Sequence, residues 1–520
     1  MKYTVLALTT SIVALHATSA LCAPAAAPLN AGAAKIDITP TKAQLPKGYD
    51  GVNDPIYVRA TVLEHDGQKA ALVSVDIGGM PDSVWAAVVQ GAQSLGIPSA
   101  NLMLTATHSH SVPRGVPQLD EKIVEALRQA AAKMHPATIA YGQGVSYINI
   151  NRNIIDPKTR RWWEGPNYEG PSDKTVAVVN ITSASGQPIA VYYNYAVHAV
   201  VNGQLDMVSG DIPGAASRYI EESLGSGAVA IWSEGASGDQ NPIFFQQTYD
   251  LRNIRIADYA KRGEDISNAM PPGGQGLDRK NPQVARLMAQ QRQMVDSMGQ
   301  MLGEEVLRVG RDVLDRPEVN PRIFGASKTV TCPGRVRTDK GRAGYPGTYT
   351  DGPDVPIRLS LLKIGGIEIG GVNAEVFNPI AERFKARSGS SRTMMATLTN
   401  GIAPSGYIPH DEAFSQNTFE VVSSRLKPGC AETAIIEGLL DLEQMGILGE
   451  CGLDRNIPRD PRRIQLECCR LGAQPFDHRF DTRHAVVHAD DVVGCTFLDR
   501  RVPVPGRNLL QRLDRLGGQG

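Results

Sequence analysis

The stretch Leu102 to Val112, L-M-L-T-A-T-H-S-H-S-V, constrains the fold more than any other part of the chain. Asn101 to Thr107 reads as a buried strand that runs straight into two histidines one residue apart. In an extended chain residues i and i+2 share a side, so His108 and His110 are expected to project together from the strand end. Polar and functional groups gather at such ends in α/β proteins. Neutral imidazole is a good zinc ligand, and an H-x-H pair so placed suits a transition metal. A polar strand end is the plainer alternative, and the remaining elements bear on the choice.

Those elements alternate. Gly32 to Pro40 alternates in the strand manner and stops at a proline. Tyr57 to Glu64 and Ala70 to Ile77 read as a hairpin around the turn His65-Asp66-Gly67. Ser83 to Leu95 and Leu119 to Met134 carry apolar residues at helical spacing and flank the H-x-H strand. Gly144 to Asn153 ends a further strand in Asn149, Asn151 and Arg152. Lys174 to Ile181 and Pro188 to Asn194 form a second hairpin that continues to His198. Asp211 is the expected N-cap of a helix through Leu224, with Pro213 in its first turn. Ala228 to Ser233 feeds the polar loop G-A-S-G-D-Q-N-P, 235–242. Tyr249 to Gly310 is mostly helical, and strands return at Arg322 to Val330, Ile357 to Ile364 and Ile367 to Val372. The helix Asn378 to Arg387 follows, then Met394 to Leu398, the loop Thr399 to Pro409 and a final helix from Cys430 to Gln444. This grammar predicts an α/β fold, a mixed β-sheet core flanked by helices, with the metal site at strand ends and loops.

The chain of 520 residues is 42% hydrophobic, 21% charged and of net charge −1, which gives no reason to expect nucleic acid. Lys2, the apolar run Val5 to Ala20 and the small residues after it read as a signal peptide over 1–23, so the protein is expected to be exported, periplasmic or secreted. Export permits disulfides, and Cys332 with Cys430 is one candidate pair among seven cysteines. The main domain is expected over 24–445. Residues 451–520 hold twelve arginines, no lysine and four of the cysteines, without a sustained period. The tail 446–520 reads as a frame-displaced continuation rather than a native-like domain, the alternative being a divergent extension.

Several strand ends and loops each deliver one metal-ligating side chain: His108 with His110, His198, Glu375 and Tyr407. Catalytic zinc takes about three protein ligands plus an open water position. Singly, each residue has a plainer reading: a hydrogen-bonding histidine, a capping glutamate, a packing tyrosine. Together they match a known constellation. A-T-H-S-H-S at Ala106 to Ser111, I-N-R at Ile150 to Arg152, N-Y-A-V-H at Asn194 to His198 and S-G-D at Ser209 to Asp211 occur in order. G-D at Gly238-Asp239, A-E-V-F at Ala374 to Phe377 and S-G-Y-I at Ser405 to Ile408 follow. In these motifs the chain resembles the neutral (non-lysosomal) ceramidase family over roughly Gly32 to Leu442.

The resemblance implies one zinc per chain, held by His108, His198, Glu375 and Tyr407, with His110 and Arg152 lining the active site. It also implies departures. The family has a Ser after its G-D where this chain has Asn241, and Phe419 matches a family tyrosine on the substrate side. Val112 replaces a glycine, and the family's C-terminal β-sandwich is expected to be absent. The metal site is kept while the groups that handle ceramide are altered, which puts ceramide itself in doubt. The expected function is a zinc-dependent amidohydrolase cleaving an N-acyl bond of a small molecule, a sphingolipid or another N-acyl lipid, with transient contact to a membrane surface. His110 is expected to handle the proton, Arg152 the developing oxyanion and Asn241 the place of the family Ser. The alternatives are an exported binding protein that keeps the fold without turnover, and a phosphoesterase with a second metal, for which Asp211 and Asp239 are the candidates. Ser237, in G-A-S-G-D, lacks the spacing of a nucleophile elbow and reads as loop geometry.

Overall fold

A strand that is apolar on both faces must be covered on both, and the Leu102–Ala106 strand, buried along its whole length, lies at the edge of an eight-stranded mixed sheet. The computed structural model describes residues 28–266, 277–339 and 343–451. The expected leader, and the tail beyond Cys451, lie outside them. Across the sheet the order is Val229–Glu234, Pro188–Tyr195, Thr175–Ser183, His135–Val145, Leu29–Asp37, Tyr57–His65, Gln68–Val75 and Leu102–Ala106. Only the outermost pair at each edge is parallel. Helices Asp82–Ser94 and Leu119–Ala132 share one core with the strands beside them, and Asp211–Leu224 with Pro282–Asp312 cover the other half of the sheet.

The sheet curls strongly. Val229–Glu234 packs against Tyr57–His65, Gln68–Val75 and Leu102–Ala106 from the far edge, in keeping with the right-handed twist that accumulates across many strands. A second sheet, of the strands Ile323–Arg337, Tyr349–Ile364, Ile367–Val372 and Thr393–Ala396, docks against it. The segment Thr397 to Asn400 stitches the two together. Thr397 N–H donates to Glu234 O at 2.8 Å, Ala106 N–H to Leu398 O at 3.2 Å and Asn400 N–H to Leu104 O at 2.8 Å. Asn400 adds side-chain bonds to Leu104 N and Leu102 O. The ends of the Leu102–Ala106, Val229–Glu234 and Thr393–Ala396 strands are thereby held side by side.

Local readings differ from the structure in instructive places. The Leu102–Ala106 strand stops one residue short of Thr107, and His108 adopts a left-handed φ of 62°. The two histidines therefore do not meet as i and i+2 of an extended strand; a turn of the backbone brings them together. Gly210, not Asp211, occupies the N-cap of Asp211–Leu224. Asp211 sits at φ 53° and accepts from Asn202 N and Ile212 N. The final helix runs Ala431–Cys451, past the expected domain boundary at 445. Cys332 and Cys430 form a disulfide that ties the long hairpin to the start of that helix.

Candidate metal centre

His108 leaves the end of one edge strand and His198 follows the Pro188–Tyr195 strand near the opposite edge, so the curl of the sheet is what brings them into contact. Each imidazole is fixed through its Nδ1. His108 Nδ1 bonds Gly78 O at 2.9 Å, and His198 Nδ1 bonds Ser237 O at 2.7 Å and Gln240 O at 3.0 Å. A carbonyl can only accept, so Nδ1 carries a hydrogen in both rings and Nε2 is the nitrogen that faces inward. Ser237, from the loop read as geometry, acts here through its backbone. Gly238 is needed in that loop, because a Cβ there would lie 2.8 Å from Val376 O.

Both Nε2 atoms meet one carboxylate. Glu375 Oε1 lies 2.7 Å from His198 Nε2 and 3.2 Å from His108 Nε2. It is buried, yet it has no hydrogen bond in acceptable geometry to either ring. Glu375 and Tyr407 are register partners in a short parallel ladder, which sets the tyrosine backbone next to the carboxylate. His110 Nε2 approaches His108 Nε2 at 3.4 Å. Of the three histidines, whose ring nitrogens lie within 4.8 Å of one another, only His110 is exposed. No carbonyl bond to its ring is seen, so it lacks the orienting contact that His108 and His198 share.

Burial and charge act against each other across the site. Burial works against the Glu375 carboxylate, yet His108 and His198 hold it well below the usual carboxylate range. Burial likewise opposes a charge on His108, but Glu375 more than offsets this and raises it to about 9. His198 falls to about 4 through burial and the nearby Arg152 charge. His110 is exposed as a residue while its Nε2 faces the crowded cluster; packing there and the charges of His108 and His198 push it well below its ordinary value. Tyr407 is raised, by burial first and by Glu375 second.

This donor set fits a divalent transition ion. Two oriented imidazole nitrogens and one carboxylate oxygen converge, and backbone carbonyls fix the rings through their other nitrogens, as carbonyls commonly do for the histidines of metal sites. Among the described residues the three histidines form the one group of His, Cys, Asp or Glu side chains that could hold an ion. Asp211 and Asp239 are not part of it. Asp239 is occupied with Asn151 and Asn378 instead, so among the described residues it adds no second group of ligands beside the histidines.

Arg152 approaches from the 149–155 strand. Its Nη1 is 3.3 Å from His198 Nε2 and 3.3 Å from Asn241 Oδ1, its Nη2 donates to Gly238 O at 2.8 Å, and its Nε to Glu420 Oε1 at 2.6 Å. Asn241 is engaged at both ends, its Nδ2 donating to Glu164 Oε1 at 3.0 Å and to Tyr249 Oη at 3.4 Å. Phe419 stacks edge-on with Tyr407 at 5.8 Å and is partly exposed. The structure thus places His108, His110, His198, Glu375, Arg152 and Asn241 around one point, with Tyr407 beside them through its backbone ladder to Glu375 and its ring 5.6 Å from the Arg152 guanidinium. It adds Glu420 and Glu234, which no motif had marked. Glu234 ends the Val229–Glu234 strand, is fully buried and leaves Oε1 without a partner; a carboxylate closing an apolar strand was its one available signal. A cavity of about 860 Å³ lies on the other face of the 149–155 strand, lined by Asn151 and Asn153, which alternate with Arg152 along the strand.

The sequence matches the model of the neutral/alkaline non-lysosomal ceramidase N-terminal domain over residues 32–334. The chain belongs to that family. Among characterised ceramidases, neutral ceramidase of Pseudomonas aeruginosa is 28% identical over 297 residues, 48% of this chain and 44% of that protein. Neutral ceramidase A of Dictyostelium discoideum is 26% identical over 213 residues, 35% of this chain and 30% of the relative. These alignments span less than half the length of the ceramidases they match. The crystal structure of the Pseudomonas aeruginosa ceramidase superposes with a TM-score of 0.57 at 17% identity, covering 80% of this chain and 74% of that one. A ceramidase complexed with C2 gives 0.59 at 16% identity, covering 84% and 77%. At such identity the superpositions establish a shared ceramidase fold.

Proposed function

We propose that this ceramidase-family chain is an exported, zinc-dependent amidohydrolase that cleaves the N-acyl bond of a small molecule. The observation that carries this reading is the convergence of His108 Nε2 and His198 Nε2 on the unbonded Glu375 Oε1. His108, His198, Glu375 and Tyr407 would hold the ion. When bound, zinc supplies Lewis acidity, making a water more acidic and a carbonyl more electrophilic. The protein's own groups do the rest. His110 is exposed beside the two rings and neutral, so it can take a proton from the attacking water and return it to the leaving amine. Arg152, with one Nη1 hydrogen directed at the cluster, can steady negative charge that builds on the carbonyl oxygen. Asn241 positions Arg152 rather than meeting substrate, since its oxygen and its amide group are both engaged.

Phe419 at the rim, in place of a family tyrosine, removes a hydroxyl from the substrate side, so an N-acyl compound other than ceramide is the favoured substrate class. The Cys332–Cys430 bridge accords with an oxidising compartment, and no described helix is long and apolar enough to cross a membrane. Metal analysis of the purified protein, coupled to hydrolysis assays on N-acyl lipids, N-acyl amino acids and peptides, tests the reading. One equivalent of zinc together with chelator-sensitive release of an amine is expected. Zinc without turnover anywhere on the panel would mean that the fold serves binding alone, and absence of metal would remove the reading altogether.

A further inference from the structure

Arg152 poses an electrostatic difficulty for the metal centre. Its Nη1 lies 3.3 Å from His198 Nε2, an atom assigned above to the ion, so a guanidinium and a divalent cation share one buried neighbourhood. Like charges that close, shielded from water, repel strongly. Glu420 answers this. It is wholly buried, its Oε1 accepts from Arg152 Nε at 2.6 Å, and its Oε2 has no other partner. Thr418, whose side chain accepts from Val421 N, caps the short helix Phe419–Ser423 and fixes the backbone that presents Glu420. Gly238 O and Asn241 Oδ1 also hold the guanidinium but carry no charge, so among its hydrogen-bond partners only Glu420 can neutralise it.

We infer that Glu420 is a positioning residue whose carboxylate neutralises Arg152 and thereby lets the arginine stand beside a metal ion. The inference rests on the metal-centre reading above and goes beyond it. Glu420 touches neither metal nor substrate; it acts through Arg152. Without it, the unpaired guanidinium competes with the ion for the His198 lone pair and repels it.

The test is zinc affinity, measured by chelator competition at pH 8 on wild type, Glu420→Gln, Arg152→Gln and the double variant, with circular dichroism to confirm folding. Glu420→Gln is expected to weaken zinc by about 10-fold to 100-fold, the usual range for a residue supporting metal ligands. Arg152→Gln should hold zinc at least as tightly as wild type, because it removes the repelling charge. The double variant should return to within about 3-fold of wild type, which loss of packing alone would not do. An unchanged affinity in Glu420→Gln, or a double variant as weak as that single one, overturns the inference. Should Glu420→Gln fail to fold, the double variant is compared with Arg152→Gln: a difference within about 3-fold supports the inference, and a further 10-fold loss overturns it. A wild type that binds no zinc defeats the metal centre itself, a result distinct from all of these.

Discussion

Arg59 and Glu375 are both charged side chains withdrawn from water, and their surroundings differ in kind. Arg59 stands between Asp76 and Glu221, at 3.0 and 2.8 Å, with Lys35 on the far oxygen of Glu221 at 2.7 Å. Two cations meet two anions, and the charges close on themselves. Arg59 Nη2 and Asp76 Oδ1 are still left without partners, so an orphaned atom alone does not mark a functional site. Around Glu375 the His108 and His198 rings both turn Nε2 toward one carboxylate oxygen, at 3.2 and 2.7 Å, so three potential metal donors converge on a single point. Buried ion pairs are arranged by opposite sign; a metal centre is arranged by like donors aimed at one point.

Two substitutions separate these cases. Arg59→Met should destabilise the fold by about 3–5 kcal/mol, the cost of stranding buried carboxylates, while the protein that remains folded keeps its zinc. His198→Ala should do the reverse, stripping zinc with a much smaller change in the urea midpoint of the metal-free protein. Zinc loss in Arg59→Met at full folding would join the two clusters into one system.

The next effect in size separates the histidines of the pair. His110→Ala is expected to retain zinc and to cut turnover by roughly 10²–10⁴, the usual span for a general acid–base group. Metal lost from His110→Ala but kept in His108→Ala would reverse their assignment, against the Gly78 contact that only His108 makes.

How far the sequence reaches can be judged on these same residues. The first hairpin was legible because its turn, Asp66 and Gly67 at φ 50° and 73°, is local chemistry. The second was legible for the same reason at Gly186, φ 81°. The H-x-H motif was legible as composition, but the reason for its meeting was not: the left-handed turn at His108 is held between tertiary bonds from Thr107 N–H to Val75 O, His108 Nδ1 to Gly78 O and His110 N–H to Ala199 O, none of them local in sequence. The strand expected over Gly144 to Asn153 proved to be two, His135–Val145 and Asn149–Ile155, since its first half alternates too weakly to stand out. The strand Trp162–Asn167 also escaped notice, being half exposed and interrupted by glycine and proline. Glu420 was invisible for a different reason, because its meaning comes from Arg152, 268 positions earlier.

The smallest expected effect concerns Asn241. Since it bridges Arg152 and Glu164 and does not itself offer a free group, Asn241→Ala should cost a modest factor, about 10-fold or less, on whichever N-acyl compound the wild type cleaves. Asn241→Ser should shift preference across the panel, because a hydroxyl is shorter and frees Glu164 from its amide partner. An inert wild type beside an active Asn241→Ser would place this chain among lapsed enzymes.

The stitching segment Thr397 to Asn400 has a consequence in time. Synthesis delivers His108, His110 and His198 long before Glu375, Tyr407 and the stitch exist. Roughly 270 residues separate His108 from Glu375, which at about 5–20 residues per second leaves the imidazoles tens of seconds without their carboxylate. On the ribosome the nascent chain therefore carries His108 and His198 without the Glu375 carboxylate, and the cluster closes only after that last part of the fold has been made and has docked.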